Sequence, residues 1–207
     1  MGIPVLILGE SGSGKSCSLR NFGEDEIGIF NVASKPLPFR KKLNKIDNAT
    51  YEHIKVGLNK KTKKVYAIDD SQYLMAFEAF DRAKETGYNK FTDIALNFRN
   101  LIQRVITETP DDCIVYFLHH TETNENGKIK AKTSGKMLDN QLTLEGLFSI
   151  VLLCKTDGTR HYFETQSDGY TTAKSPMDMF EKEIDNDLKM VDTKIREYYE
   201  LNKKEEN

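Results

Sequence analysis

The chain has 207 residues, of which 38% are hydrophobic and 30% charged, and its net charge is −2. That size suits one ordinary domain, long enough to bury a sheet with helices on both faces. The charge balance excludes a global positive field that would draw the chain to nucleic acid, so any such contact needs a local patch. No stretch is apolar for long enough to span a membrane, and the run after Met1 is too short for a signal-peptide core. The three cysteines, Cys17, Cys113 and Cys154, are scattered and odd in number. Cys113 and Cys154 lie in apolar runs and read as reduced core residues of a cytoplasmic protein. Cys17 reads as packing, with oxidation sensitivity as the alternative.

Ile3 to Leu8 is a continuous apolar run that leads into Gly9–Ser16, G-E-S-G-S-G-K-S, and Lys15 to Asn21 can form a helix behind it. Strand, glycine loop and helix together are the context in which a Walker A match carries meaning. Glycines let backbone N–H groups turn inward towards phosphate oxygens, and the helix start adds its unpaired N–H groups and dipole. Gly9, Glu10, Ser11, Gly12, Ser13, Gly14, Lys15, Ser16 and Cys17 are therefore the expected nucleotide-binding residues, with Lys15 reaching the β- and γ-phosphates and Ser16 ligating Mg²⁺. A dinucleotide fingerprint fails, because Cys17 stands where its last glycine belongs.

Ile27 to Val32 is the second expected strand. Lys35 to Lys45, K-P-L-P-F-R-K-K-L-N-K, begins irregularly because of Pro36 and Pro38. Its basic charges suit either a phosphate backbone or neighbouring subunit, or a solvated loop. Tyr51 to Leu58 has helical spacing, with a short strand as the alternative. Val65 to Ile68 is a strand that ends in Asp69 and Asp70, at the sheet edge where ligands of open α/β sheets sit. Asp69 fits the Walker B carboxylate that serves Mg²⁺. Asp70 has two readings, a group that polarises the attacking water or the N-cap of a helix starting near Ser71.

Gln72 to Thr86 and Phe91 to Thr107 are helical in pattern, and their aromatic-rich stripes read as core. Cys113 to Leu118 is a buried strand that ends in His119, His120, Thr121 and Glu122. Side chains alternate, so one histidine faces the nucleotide, and His120 is the candidate γ-phosphate sensor. A His-His-x-Glu metal site and a core histidine are the rival readings. Thr123 to Lys136 is a polar, basic segment carrying Lys128, Lys130, Lys132 and Lys136, suited to gripping DNA, to carrying a cation into a neighbour's site, or to a solvated hairpin. Leu147 to Cys154 and Arg160 to Gln166 form an expected antiparallel hairpin turning at Gly158. After Ser175-Pro176, the residues Ile184, Leu188, Val191, Ile195 and Tyr198 mark one face of a terminal helix that docks on the body or on a partner. The expected layout is a core over residues 1–175 and a docking helix over 176–207 of the same domain.

The sequence resembles the phage-encoded RecA-like ATP-binding proteins of DNA recombination modules, including the Sak-type single-strand annealing group. The segments carrying the resemblance are V-L-I-L-G-E-S-G-S-G-K-S, K-P-L-P-F-R, A-I-D-D-S-Q-Y-L-M, I-V-Y-F-L-H-H-T-E, T-S-G-K-M-L-D, I-D-N-D-L-K-M-V-D and I-R-E-Y-Y. The resemblance implies an α/β P-loop NTPase fold with a RecA-like, mostly parallel sheet, flanking helices, a C-terminal antiparallel hairpin and a terminal helix. It also implies ATP and Mg²⁺ as ligands, single-stranded DNA and a single-stranded-DNA-binding protein as partners, a homo-oligomer, and residence in the bacterial host cytoplasm. Lys15, Asp70, His120 and Lys136 are the candidate catalytic residues, with Lys136 as a cation supplied to a neighbouring subunit; Ser16 and Asp69 are the candidate metal ligands. RecA itself keeps its catalytic carboxylate on a different strand. The alternatives are an ATP-gated module that loads a partner with negligible turnover, and a P-loop kinase, for which arginines are sparse and no lid-like insertion is visible.

Overall fold

The computed structural model describes residues 1–135 and 142–201. Lys136 and the terminal residues 202–207 lie outside the described residues. Nine strands form one sheet among the described residues: β1 (Ile3–Gly9), β2 (Ile27–Asn31), β3 (Lys45–Asp47), β4 (Val65–Asp69), β5 (Ile114–Thr123), β6 (Ile129–Ala131), β7 (Ile150–Thr156), β8 (His161–Glu164) and β9 (Glu183–Asp185). The helices are α1 (Tyr51–Asn59), α2 (Gln72–Asp81), α3 (Asn89–Glu108) and α4 (Leu188–Tyr198). The strand order is β3-β2-β4-β5-β1-β7-β8-β9, with β6 paired to the end of β5. Every pairing from β3 to β7 is parallel; β7–β8, β8–β9 and β5–β6 are antiparallel. The result is an α/β architecture with a mostly parallel mixed sheet, antiparallel strands at its C-terminal end and a terminal helix.

Alternation along buried strands makes two cores. Leu6 and Leu8 of β1, with Phe117 of β5, face Ile54 of α1, Leu74 of α2 and Phe98 and Ile102 of α3. Val5 and Ile7, with Tyr116 and Leu118, face Leu19, Phe22 and the Leu188, Val191 and Ile195 stripe of α4. The terminal helix thus docks on its own body. Asp187 caps it, accepting from the Lys189 and Met190 amides. Ile184 precedes that cap and belongs to β9, which extends the sheet from β8, so it is not part of the helical stripe.

Other expectations shift for physical reasons. Beyond Leu118, β5 continues to Thr123 because Thr121–Thr123 find partners in β6. α2 ends at Asp81 instead of reaching Thr86; Arg82 turns aside to Glu78, Glu85 and Asp93. Phe77 and Phe80 are 44% and 78% exposed, so they are not core; the inward face of α2 is Leu74 and Met75. Leu96 of α3 also faces outward, while Ile94, Phe98, Leu101, Ile102 and Val105 are buried as expected. The short strands β3 and β9 carry too few residues for a periodic signal. No helix among the described residues is long and apolar enough to cross a membrane.

A buried polar knot fixes α4 to the sheet. Arg196 Nε donates to Asp192 Oδ2 at 2.7 Å, and its Nη1 and Nη2 donate to the Asp112 and Lys64 carbonyls at 2.8 and 3.1 Å. The Tyr116 hydroxyl donates to Asp192 Oδ1 at 3.2 Å. Burial raises the Asp192 pKa against the opposing pull of Arg196. Removing the guanidinium strands a buried carboxylate, so Arg196→Ala is expected to lower stability by about 3 kcal/mol in urea titrations.

His119 is fully buried, with Nε2 donating to the Lys132 carbonyl at 2.8 Å and Nδ1 accepting from the Ser71 hydroxyl at 2.9 Å. Burial lowers its pKa from 6.5 to about 4. Between those values the unfolded chain takes up a proton that the folded chain refuses. The stabilisation is therefore complete above pH 6.5 and lost as pH falls towards 4, a change of about 3 kcal/mol. The non-titrating His119→Gln protein is expected to show a correspondingly shallower fall of unfolding free energy across this interval.

Candidate functional site

The C-terminal ends of β1, β4 and β5 meet at one sheet edge. Gly9 lies opposite His120 in the β1–β5 register, and β5 runs between β1 and β4. The glycine loop leaves β1 there and turns through Gly12 at φ +82° and Gly14 at φ +102°, a region that disfavours a side chain. A Cβ at Gly9 would approach Ser13 Oγ to 2.4 Å and the Cys154 carbonyl oxygen to 2.9 Å. The loop is braced from β7 and β8: Cys154 Sγ and His161 Nδ1 donate to the Ser13 carbonyl at 3.0 and 2.7 Å. Asn186 Nδ2 donates to Cys154 Sγ at 3.1 Å, and Arg20 Nη1 donates to the Asn186 carbonyl at 2.6 Å. Ser13 Oγ itself is buried and has no hydrogen-bond partner among the described residues.

The segment behind the loop is helical, as expected, and it is a 3-10 helix of six residues, Ser16–Asn21. Its first turn has no side-chain cap, and a helix this short has little macrodipole. The positive charge at this end of the cleft is instead that of Lys15.

Two buried charges define the cleft. Lys15 is 6% exposed, and its Nζ donates to the Gly9 and Glu10 carbonyls at 2.8 and 2.9 Å. Asp69 is 5% exposed and accepts from Ser16 Oγ at 2.7 Å. Among the described residues neither forms an ion pair. Burial lowers the Lys15 pKa and raises that of Asp69, each an expression of a charge poorly compensated where it stands. An anion beside Lys15 and a cation beside Asp69 would relieve both. The Ser16 hydroxyl and Asp69 carboxylate are hard oxygen donors of the kind Mg²⁺ takes, so the residues fit a magnesium–polyphosphate pair.

Asp70 follows with φ +60°, in a left-handed turn that aspartate tolerates. The turn aims its carboxylate across the cleft. Oδ2 accepts from Lys35 Nζ at 2.8 Å, and Oδ1 lies 3.1 Å from His120 Nε2. Burial opposes ionisation here, but His120 and Lys35 outweigh it and hold the pKa below the usual carboxylate value. The Asp70 side chain therefore makes no helix cap. His120 stands edge-on to Tyr73, with ring centroids 5.6 Å apart.

The cleft encloses about 350 Å³ and gathers residues of the glycine loop with Lys35, Asp69, Asp70, His120 and His161. Gly9, Glu10 and Ser13 belong to the loop but do not line the cleft. Of the two adjacent histidines, His120 faces the cleft and His119 the core. Glu122 pairs with Lys130 at 3.0 Å, and no group of three or more His, Cys, Asp or Glu side chains among the described residues could hold a metal, so a His-His-x-Glu site does not form. Lys128, Lys130 and Lys132 do not line the cleft; Lys136 lies outside the described residues. Cys113 and Cys154 are buried free thiols, and Cys17 is half-buried beside the loop.

Sequence reasoning missed Lys35, His161, Cys154 and Asn186. Lys35 had a signal, its place in a basic stretch broken by prolines, but nothing there singled it out among the neighbouring cations. His161 stands 148 positions from the carbonyl it holds, with no local pattern to mark it. Compared with known proteins, the chain matches no protein-family model and no curated protein.

Proposed function

We propose that the chain is a Mg²⁺-dependent ATPase with a RecA-like P-loop NTPase fold, acting in phage-type DNA recombination or single-strand annealing. The observation that carries this reading is the pair of buried charges, Lys15 and Asp69, at the mouth of the glycine loop, neither of which forms an ion pair among the described residues. Lys15 exchanges two backbone carbonyls for the β- and γ-phosphate oxygens of ATP, and the turn amides add further donors. Ser16 and Asp69 would hold Mg²⁺, which would neutralise phosphate charge when bound. Asp70 and His120, which line the same cleft 3.1 Å apart, would orient the water that attacks the terminal phosphate. Single-stranded DNA, a single-stranded-DNA-binding protein and further copies of the chain are the proposed partners. The exposed Arg40, Lys41 and Lys42 support the DNA reading by offering a local basic patch on a chain of net negative charge.

The engagement of both Asp70 oxygens favours a second reading, an ATP-gated module that loads a partner with negligible turnover. A carboxylate held by two donors is a weak proton acceptor. The two readings part on turnover alone.

Lys15→Ala is expected to lower ATP hydrolysis by about 100-fold or more in a phosphate-release assay, the scale for loss of a donor to the phosphoryl group in flight. Undiminished turnover by purified Lys15→Ala protein would overturn the assignment. Asp69→Asn is expected to raise the Mg²⁺ concentration needed for half-maximal nucleotide binding, measured by titration calorimetry. Binding to single-stranded DNA should weaken steeply with salt, and a flat response would remove DNA from the proposed partners.

A further inference from the structure

Lys35 is the one cation that enters the cleft from outside the glycine loop among the described residues. It follows β2, after Ser34, whose φ of +56° turns the chain back over the sheet edge. Its own carbonyl is held by Asn31 Nδ2 at 2.8 Å. Leu37 and Phe39 beyond it pack on the core beneath, and Leu43 is buried there. The backbone on both sides is thus anchored, while the Lys35 side chain remains 56% exposed. Its ammonium rests on Asp70 Oδ2 and lies 5.1 Å from the Tyr73 ring centroid.

Two ammonium groups therefore converge on one cleft, and they repel: Lys35 depresses the Lys15 pKa. The arrangement is tolerable without a polyanion because Asp70 neutralises Lys35. A triphosphate changes the balance. Its terminal phosphate brings negative charge to the space between Lys15 and Asp70, repels the Asp70 carboxylate and attracts Lys35. A diphosphate leaves that space without a phosphate.

We propose that Lys35 is a nucleotide-state sensor, whose ammonium moves from the Asp70 carboxylate to the terminal phosphate of a bound nucleoside triphosphate and returns once that phosphate has left. The inference rests on the nucleotide reading of the cleft and adds to it a residue that discriminates triphosphate from diphosphate. The anchored backbone makes the exchange a side-chain rotation, with no loop closure. Freed from Lys35, Asp70 retains His120 as its partner and regains one accepting oxygen, so the same movement that registers the terminal phosphate unblocks the carboxylate beside it.

The test is a set of calorimetric titrations with MgADP and with a non-hydrolysable Mg-ATP analogue on the full chain. Lys35→Ala is expected to bind the triphosphate about tenfold more weakly, the scale of one charge-assisted hydrogen bond net of the contact given up, with MgADP affinity within twofold of the parent. Lys35→Arg should recover most of the loss. Asp70→Asn releases the ammonium from its resting partner and should tighten triphosphate binding in the parent more than in the Lys35→Ala background, a coupling that a merely structural lysine does not produce. Equal weakening of both nucleotides in Lys35→Ala, or no change in either, overturns the sensor while leaving the nucleotide site standing. A parent protein that binds neither nucleotide overturns the site and the sensor together.

Discussion

A protein interior rarely buries an ammonium and a carboxylate without an ion pair to each, yet among the described residues the glycine-loop cleft does so with Lys15 and Asp69. Desolvation penalises both, and the partners supplied within the chain, two carbonyls and one hydroxyl, offset only part of that penalty. The surrounding architecture is what makes such a site sustainable. Parallel strands buried on both faces give the loop a rigid floor, and β5, inserted between β1 and β4, separates the strand that leads into the loop from the strand that ends in Asp69. The stability given up at the edge is compensated in the two cores.

Asp70 illustrates how one carboxylate differs from its neighbour through surroundings alone. Asp69 is buried with a neutral partner and is pushed towards protonation; Asp70, one residue on, has a lysine and a histidine in contact and is pushed the other way. The left-handed turn between strand and helix separates their directions. Two adjacent acids thereby point at different parts of the cleft, one towards Ser16 and the other towards Lys35 and His120.

Much of this was legible in the residue order, for reasons that can be named. The long buried strands announce themselves as apolar runs, and α3 and α4 through 3.6-residue periodicity. Glycine spacing located the loop because Gly12 and Gly14 need backbone angles that few other residues accept. Alternation picked His120 over His119, since neighbouring side chains on a strand face opposite ways. What local pattern could not convey were contacts between distant segments. Nothing near Lys35 says that it meets Asp70, and nothing near Phe77 or Phe80 says that both stay exposed. The 3-10 segment behind the loop was also hidden, because six residues of S-C-S-L-R-N fit either helix type.

The brace beneath the loop joins residues far apart along the chain. Arg20 and Asn186, separated by 166 positions, are linked directly, and through Cys154 the connection reaches Ser13. During synthesis the glycine turn leaves the ribosome while most of the chain that supports it is still untranslated. The β1 strand and its turn emerge without these partners, and the braced loop forms only when β7, β8 and the segment before α4 have arrived. The cleft takes its shape in this sense late in biogenesis, with completion of the sheet and not with the appearance of the motif.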